Sequence, residues 1–305
     1  MPRMPRGIEL DQDGQYHLVG QVAGSKGYYP LQEKENAEQL LAVIRHFTGL
    51  YFCAVAALEV LGSHYHLCCP AFRKLSQEEL LELAKRFYPG SYHPYLSWGP
   101  AEWARFNRRL FNVSELMRNM QQAFARWFNK RHHRKGPFWA GRFQSTESDN
   151  LLETVYYVEL NAVRAHLVRL PEQWRYSSVW MRKNRQDAWL MPLVTLLDAS
   201  DADQAERLYW ASLYWTGTKA SQETDGLIPA EVAERMEKMQ LGRGCYLERH
   251  DAFSRGRKIG PREAIVAHLQ SCREKGIYRR RRHPIPCRVG GLFALRESRR
   301  SYFRL

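Results

Sequence analysis

The stretch Ser63-His64-Tyr65-His66-Leu67-Cys68-Cys69 decides how the chain is read. It predicts a buried strand. The run before it, Phe52-Cys53-Ala54-Val55-Ala56-Ala57-Leu58-Glu59-Val60-Leu61, is apolar and partly β-branched, as suits a second central strand. Gly62-Ser63 between the two predicts a tight turn and hence a hairpin. Side chains alternate faces along a strand. His64 and His66 therefore leave from one face, one pleat apart and within reach of one ion, while Tyr65 points into the packing on the other. A His-x-His pair by itself is more often structural than metal-binding. What raises its standing is a second motif, at Tyr157 and Asn161.

Outward from the hairpin, 15–22 reads as a strand after a turn at Asp13-Gly14, and 33–47 carries Ala37, Leu40, Leu41, Ile44 and Phe47 at helical spacing. The order β-α-β-β predicts an α+β fold, an antiparallel sheet with helices on one face. Ser76 with Glu79 forms a capping box for a helix over 77–87. Ser114 is expected to cap a helix whose apolar side holds Met117, Met120, Phe124 and Phe128. Its other side holds Arg118, Arg126, Lys130 and Arg131, which either line a DNA groove or form an ordinary solvated face. In Gly136-Pro137-Phe138-Trp139-Ala140-Gly141-Arg142-Phe143, Trp139 and Arg142 are candidates to stack on unpaired bases. The competing reading is a short strand that turns rings inward, which is expected of Phe138 and Phe143. The span 150–168 reads as one helix, with Tyr157 and Asn161 on one face, about 6 Å apart along the axis. Residues 182–187 read as a linker, followed by helices near 198–215, 229–239 and from 260 onward.

The 305 residues, 44% of them hydrophobic, suffice for one large or two ordinary domains with a real core. No apolar run of about eighteen residues appears, and no apolar segment follows the basic start, so neither a membrane span nor a secretory signal is expected. Six cysteines without Cys-x-x-Cys spacing suggest a reduced, cytoplasmic protein. The net charge is +14, and residues 241–305 hold 17 Lys and Arg against 5 Asp and Glu. A second basic cluster, from Arg105 to Arg142, holds ten Lys and Arg against Glu115 alone. Clustered charge mixed with aromatic residues points to a phosphate backbone as partner. Arg279, Arg280, Arg281 and Arg282 are the tail's candidates to grip it.

The ordered set of motifs resembles the HUH single-tyrosine transposases, and within them the REP-associated tyrosine transposases of bacteria. The residues that carry the resemblance are Gln15-Tyr16-His17-Leu18-Val19, Ser63-His64-Tyr65-His66-Leu67, Phe128-Asn129-Lys130-Arg131-His132, the 136–143 segment, and Tyr157-Val158-Glu159-Leu160-Asn161-Ala162-Val163-Arg164-Ala165. Three features depart from the family pattern: Ser63 stands where Asn is usual, Ala162 where Pro is usual, and about 72–112 looks inserted.

The resemblance implies a ferredoxin-like catalytic domain of the HUH endonuclease type over 1–183, followed by a mainly helical, basic region over 184–305. It implies Mg²⁺ or Mn²⁺ on His64, His66 and Asn161. Tyr157 would be the nucleophile that forms a 5′-phosphotyrosine on single-stranded, hairpin-bearing DNA, with Arg164 among the DNA contacts. A monomer or homodimer in the cytoplasm, associated with the nucleoid, is expected. Two alternatives stay open: a nucleic-acid-binding protein without catalysis, and a zinc hydrolase that uses His64 and His66.

Overall fold

The structure is a computed structural model that describes residues 14–51, 53–71, 75–219, 228–277 and 282–296. Among these residues seven strands form one sheet: β1 Gly14–Gln21, β2 Ala57–Val60, β3 His64–Ala71, β4 Gln144–Ser148, β5 Gly256–Gly260, β6 Ile285–Pro286 and β7 Phe293–Arg296. The order across the sheet is β2-β3-β1-β4-β5-β7-β6. The predicted hairpin is present as β2 and β3, although only the second half of the long apolar run pairs. The β4–β5 pair is parallel and the others are antiparallel. The sheet is therefore mixed, where a purely antiparallel one was expected.

The described α-helices are α1 Lys34–Leu50, α2 Gln77–Phe87, α3 Pro100–Leu110, α4 Val113–Arg131, α5 Leu151–Glu159, α6 Asn161–Arg164, α7 Ser178–Lys183, α8 Leu193–Leu197, α9 Ala202–Gly217, α10 Ala230–Lys238, α11 Asp251–Arg255 and α12 Arg262–Glu274. The capping box at Ser76 is formed as expected. The cap of α4 lies two residues earlier than predicted: Asn112 accepts from the N–H groups of Ser114 and Glu115.

Period-two alternation sorts the sheet into two unlike faces. Tyr16, Leu18, Leu58, Val60, Tyr65, Leu67 and Cys69 point one way and join a core with α1 and α4. The segment expected as an insertion packs here too, through Leu80, Leu83, Phe106 and Leu110. On the other face Ala57 and Cys68 pack against Val155 and Val158 of α5. Helices thus cover both faces, which corrects the expectation of one. The physical reason is that seven of the eight β3 residues are buried, Tyr65, Leu67 and Cys69 on one face and His66 and Cys68 on the other, so neither face can be left to water.

The sheet also continues past residue 183, because β5, β7 and β6 extend it through Glu147↔Lys258 and Ser148↔Ile259. The described residues beyond 183 are accordingly strand as well as helix. The expected linker at 182–187 begins with a buried side chain: Arg182 is 3% exposed and donates to the carbonyls of Met191 and Ala56. None of the six cysteines forms a disulfide. No helix among the described residues is long and apolar enough to cross a membrane.

Candidate functional site

The strand register assembles a polar cluster from three strands. Glu59 on β2 lies opposite His66 on β3, and His17 on β1 lies opposite Cys68. Directly paired residues share a face, so Glu59, His64, His66 and His17 project together toward α5. The His17 and His66 rings stack with centroids 5.0 Å apart, and His17 Nε2 lies 2.8 Å from His66 Nδ1. His17 Nδ1 lies 2.7 Å from the carbonyl oxygen of Phe253 in α11. His64 meets His66 edge-on at 5.0 Å and keeps Nδ1 3.1 Å from Ser63 Oγ.

Burial pushes all three imidazoles toward the neutral form. His17 is lowered to about 4 by burial and, more weakly, by Arg164. His64 falls to about 4 through burial, with Arg249 and Arg164 adding to it. His66 is held well below its ordinary value, first by burial and then by its cationic and imidazole neighbours. Neutral rings keep lone pairs to offer a cation.

The helix carrying the second motif is broken where one continuous helix was expected. Leu160, at φ −103° and ψ 9°, separates α5 from α6. The break has a chemical cause. The fully buried Glu59 carboxyl group accepts the Ala162 N–H at 3.2 Å through Oε2 and the Asn161 N–H as well. Those donors are thereby lost to the helix ladder. The carbonyls left behind are satisfied locally. Tyr157 O accepts from Asn161 Nδ2 at 3.4 Å and from Arg164 at 3.0 Å, and Val158 O accepts from Asn161 Nδ2 at 3.0 Å. Burial raises the Glu59 carboxyl to about 8.

Tyr157 lies inside this cluster and is 2% exposed. Phe253 stacks on its ring at 4.5 Å, the Arg164 guanidinium lies 4.2 Å from its centroid, and His17 meets it edge-on at 5.9 Å. The phenol and the imidazole pair therefore share one side of the sheet.

The fit to a divalent ion is mixed. His66 Nε2 is buried without a hydrogen-bond partner, as a waiting ligand atom would be. Asn161 Oδ1, in contrast, accepts from Arg164. Among the described residues no three His, Cys, Asp or Glu side chains are arranged to hold a metal. A third donor must then be of another kind, and the Asn161 amide oxygen qualifies only when Arg164 releases it.

The candidate DNA contacts are scattered. Arg118, Arg126 and Lys130 are exposed on α4, which covers the apolar face, so the sheet separates them from Tyr157. Arg131 is exposed but bound to Glu35 through two hydrogen bonds, of 2.8 and 3.0 Å. Trp139 is half-buried, donates its indole N–H to Gln121 O at 2.8 Å and packs on Tyr65, so it is a packing residue here. Phe138 and Phe143 are buried as expected. Arg142 is exposed. Arg164 belongs to the interior of the site, donating also to Tyr246 O at 2.9 Å. Arg282 is half-buried, and Arg279, Arg280 and Arg281 lie outside the described residues.

Sequence reasoning missed Glu59, Phe253 and Arg249, and noted His17 only within a motif. Glu59 had a readable signal, being the one charged residue in the apolar 52–61 run, and a charge in such a run asks for a buried partner. Phe253 and Arg249 had none, since only tertiary packing brings them to the sheet.

No family model matches the chain, and no curated protein matches it. Among solved structures it is similar to one of "the REP associates tyrosine transposase bound to a REP hairpin". The identity is 14%, covering 66% of this chain and 91% of that one, with a TM-score of 0.33.

Proposed function

We propose that the chain is a metal-dependent endonuclease and strand-transferase of single-stranded DNA, acting at hairpin-forming repeats. One observation carries this reading: Tyr157 presents its ring to the same sheet face as His64 and His66, with His17 between phenol and imidazole pair at 5.9 Å from the Tyr157 ring. His64, His66 and a released Asn161 oxygen would hold Mg²⁺ or Mn²⁺, which supplies Lewis acidity at the scissile phosphate. Tyr157 attacks phosphorus. A phenolic O–P bond forms and the P–O3′ bond breaks. The phenol gives up its proton and the departing 3′ oxygen gains one, leaving a 5′-phosphotyrosine and a 3′-OH. The ester keeps the phosphodiester energy, so rejoining needs no nucleotide cofactor. Arg164, now on Asn161, and the exposed Arg249 are the cations nearest to balance phosphate charge. With Tyr157 2% exposed, substrate entry requires α11 to shift.

The test is incubation of the full chain with hairpin-bearing single-stranded oligonucleotides and Mn²⁺ or Mg²⁺, read on a denaturing gel. A covalent adduct that disappears in Tyr157→Phe is expected. An adduct that persists in Tyr157→Phe overturns the assignment of the nucleophile. Binding with no adduct from the unmutated chain assigns it instead to nucleic-acid binders without catalysis, a reading the burial of Tyr157 favours.

A further inference from the structure

His17 is the buried histidine that the proposed chemistry leaves without a task, and its hydrogen bonds define one. Phe253 O can only accept, so His17 Nδ1, 2.7 Å away, must carry a proton. His17 Nε2 and His66 Nδ1 are 2.8 Å apart, and one of the two must be the donor. If His17 donated both ways it would be an imidazolium buried at 1% exposure, with a carbonyl and an imidazole as its hydrogen-bond partners and no carboxylate bonded to it. The neutral alternative makes His17 Nε2 the acceptor and His66 Nδ1 the donor. A neutral imidazole has one N–H, so His66 Nε2 is then bare. That is the atom buried without a partner.

We infer that His17 is a positioning residue: by accepting from His66 Nδ1 and donating to Phe253 O, it fixes His66 in the tautomer whose Nε2 lone pair is free to bind a divalent cation. Histidine ligands are commonly held this way, by a hydrogen bond at the other ring nitrogen. Here the chain of bonds ends on a backbone carbonyl of α11, about 240 residues from His17 in the sequence. The tautomer stands on these contacts alone, whereas its use in metal binding rests on the proposed function.

The experiment uses metal-free full-length protein with ¹⁵N-labelled histidine and long-range ¹H–¹⁵N correlation spectra, His66 being assigned through His66→Gln. The expected result is a single His66 form with Nδ1 protonated and Nε2 bare, and the same pattern for His17. A His66 protonated at Nε2, or one averaging between tautomers, overturns the inference. In His17→Leu the pure pattern should be lost. In His17→Gln it should persist, because the amide can accept from His66 and donate to Phe253 O. Mn²⁺ titration followed by electron paramagnetic resonance gives the second readout, a loss in affinity of about 10- to 100-fold in His17→Leu that His17→Gln restores in large part. Absence of Mn²⁺ binding by the unmutated chain sinks the metal reading, while the tautomer is still decided by the metal-free spectra.

Discussion

The two faces of the sheet come from the same strands and obey opposite rules. On the α1/α4 side Leu18, Leu58, Tyr65 and Leu67 are fully buried among apolar neighbours, and the ordering force is area removed from water. On the α5/α11 side His17, Glu59 and His66 are buried almost as deeply, yet each needs a specific partner. All three carboxyl groups buried among the described residues, Glu59, Glu153 and Glu159, also lie with β2 and α5 on this second side. A protein that keeps a polar cluster dry gives up stability for it, and does so most often at a working site. The apolar face tolerates a change in shape poorly, whereas the polar face tolerates a change in hydrogen-bonding capacity poorly.

The largest expected effect tests the apolar face. Leu67→Ala should lower unfolding free energy by about 2–5 kcal/mol in urea titrations, while hairpin-dependent adduct formation survives at temperatures where the variant stays folded. Equal damage to activity would erase the distinction between the faces. Glu59→Leu, close in volume, comes next. It leaves the Ala162 and Asn161 N–H groups without their acceptor and should cost about 1–3 kcal/mol. An unchanged stability would mean that the α5–α6 break does not depend on this carboxyl group.

Third comes pH. Burial holds Glu153 at about 8, above its unfolded value, so the folded chain binds the extra proton. Its contribution to stability is whole below about 4.5 and is lost as pH rises toward about 8, with a slope of at most about 1.4 kcal/mol per pH unit. Glu153→Gln should remove that slope from Tm-against-pH curves. His17, lowered to about 4, acts with the opposite sign: it lowers stability as pH falls below its unfolded value of about 6.5. The smallest effect concerns the far side of the molecule. Replacing Arg126 and Lys130 with Ala should leave adduct chemistry intact. It should flatten the salt dependence of DNA binding by about 0.7 to 0.9 for each phosphate no longer neutralised, and an unaltered slope would remove α4 from the DNA path.

Local pattern carried much of the architecture. The β-α-β-β start, the hairpin at Gly62-Ser63, the Ser76 capping box and the inward Phe138 and Phe143 all follow from alternation, capping and helical spacing, and all are present. The misreadings share one character. The β4–β5 pair joins strands more than a hundred residues apart, and such short strands carry little periodicity of their own. The break at Leu160 is invisible in its own helix because its cause, Glu59, sits on another element.

The sequence by itself determined that His64 and His66 share a face, because a strand has period two whatever surrounds it. It also determined that Tyr157 and Asn161 are close, because they are four residues apart. Only the tertiary structure decided what stands beside them. Cross-strand register set Glu59 opposite His66 and brought His17 within a hydrogen bond of it. The docking of α11 put Phe253 on Tyr157. Contacts of that kind depend on the packing of segments distant in the chain, and no local propensity encodes them.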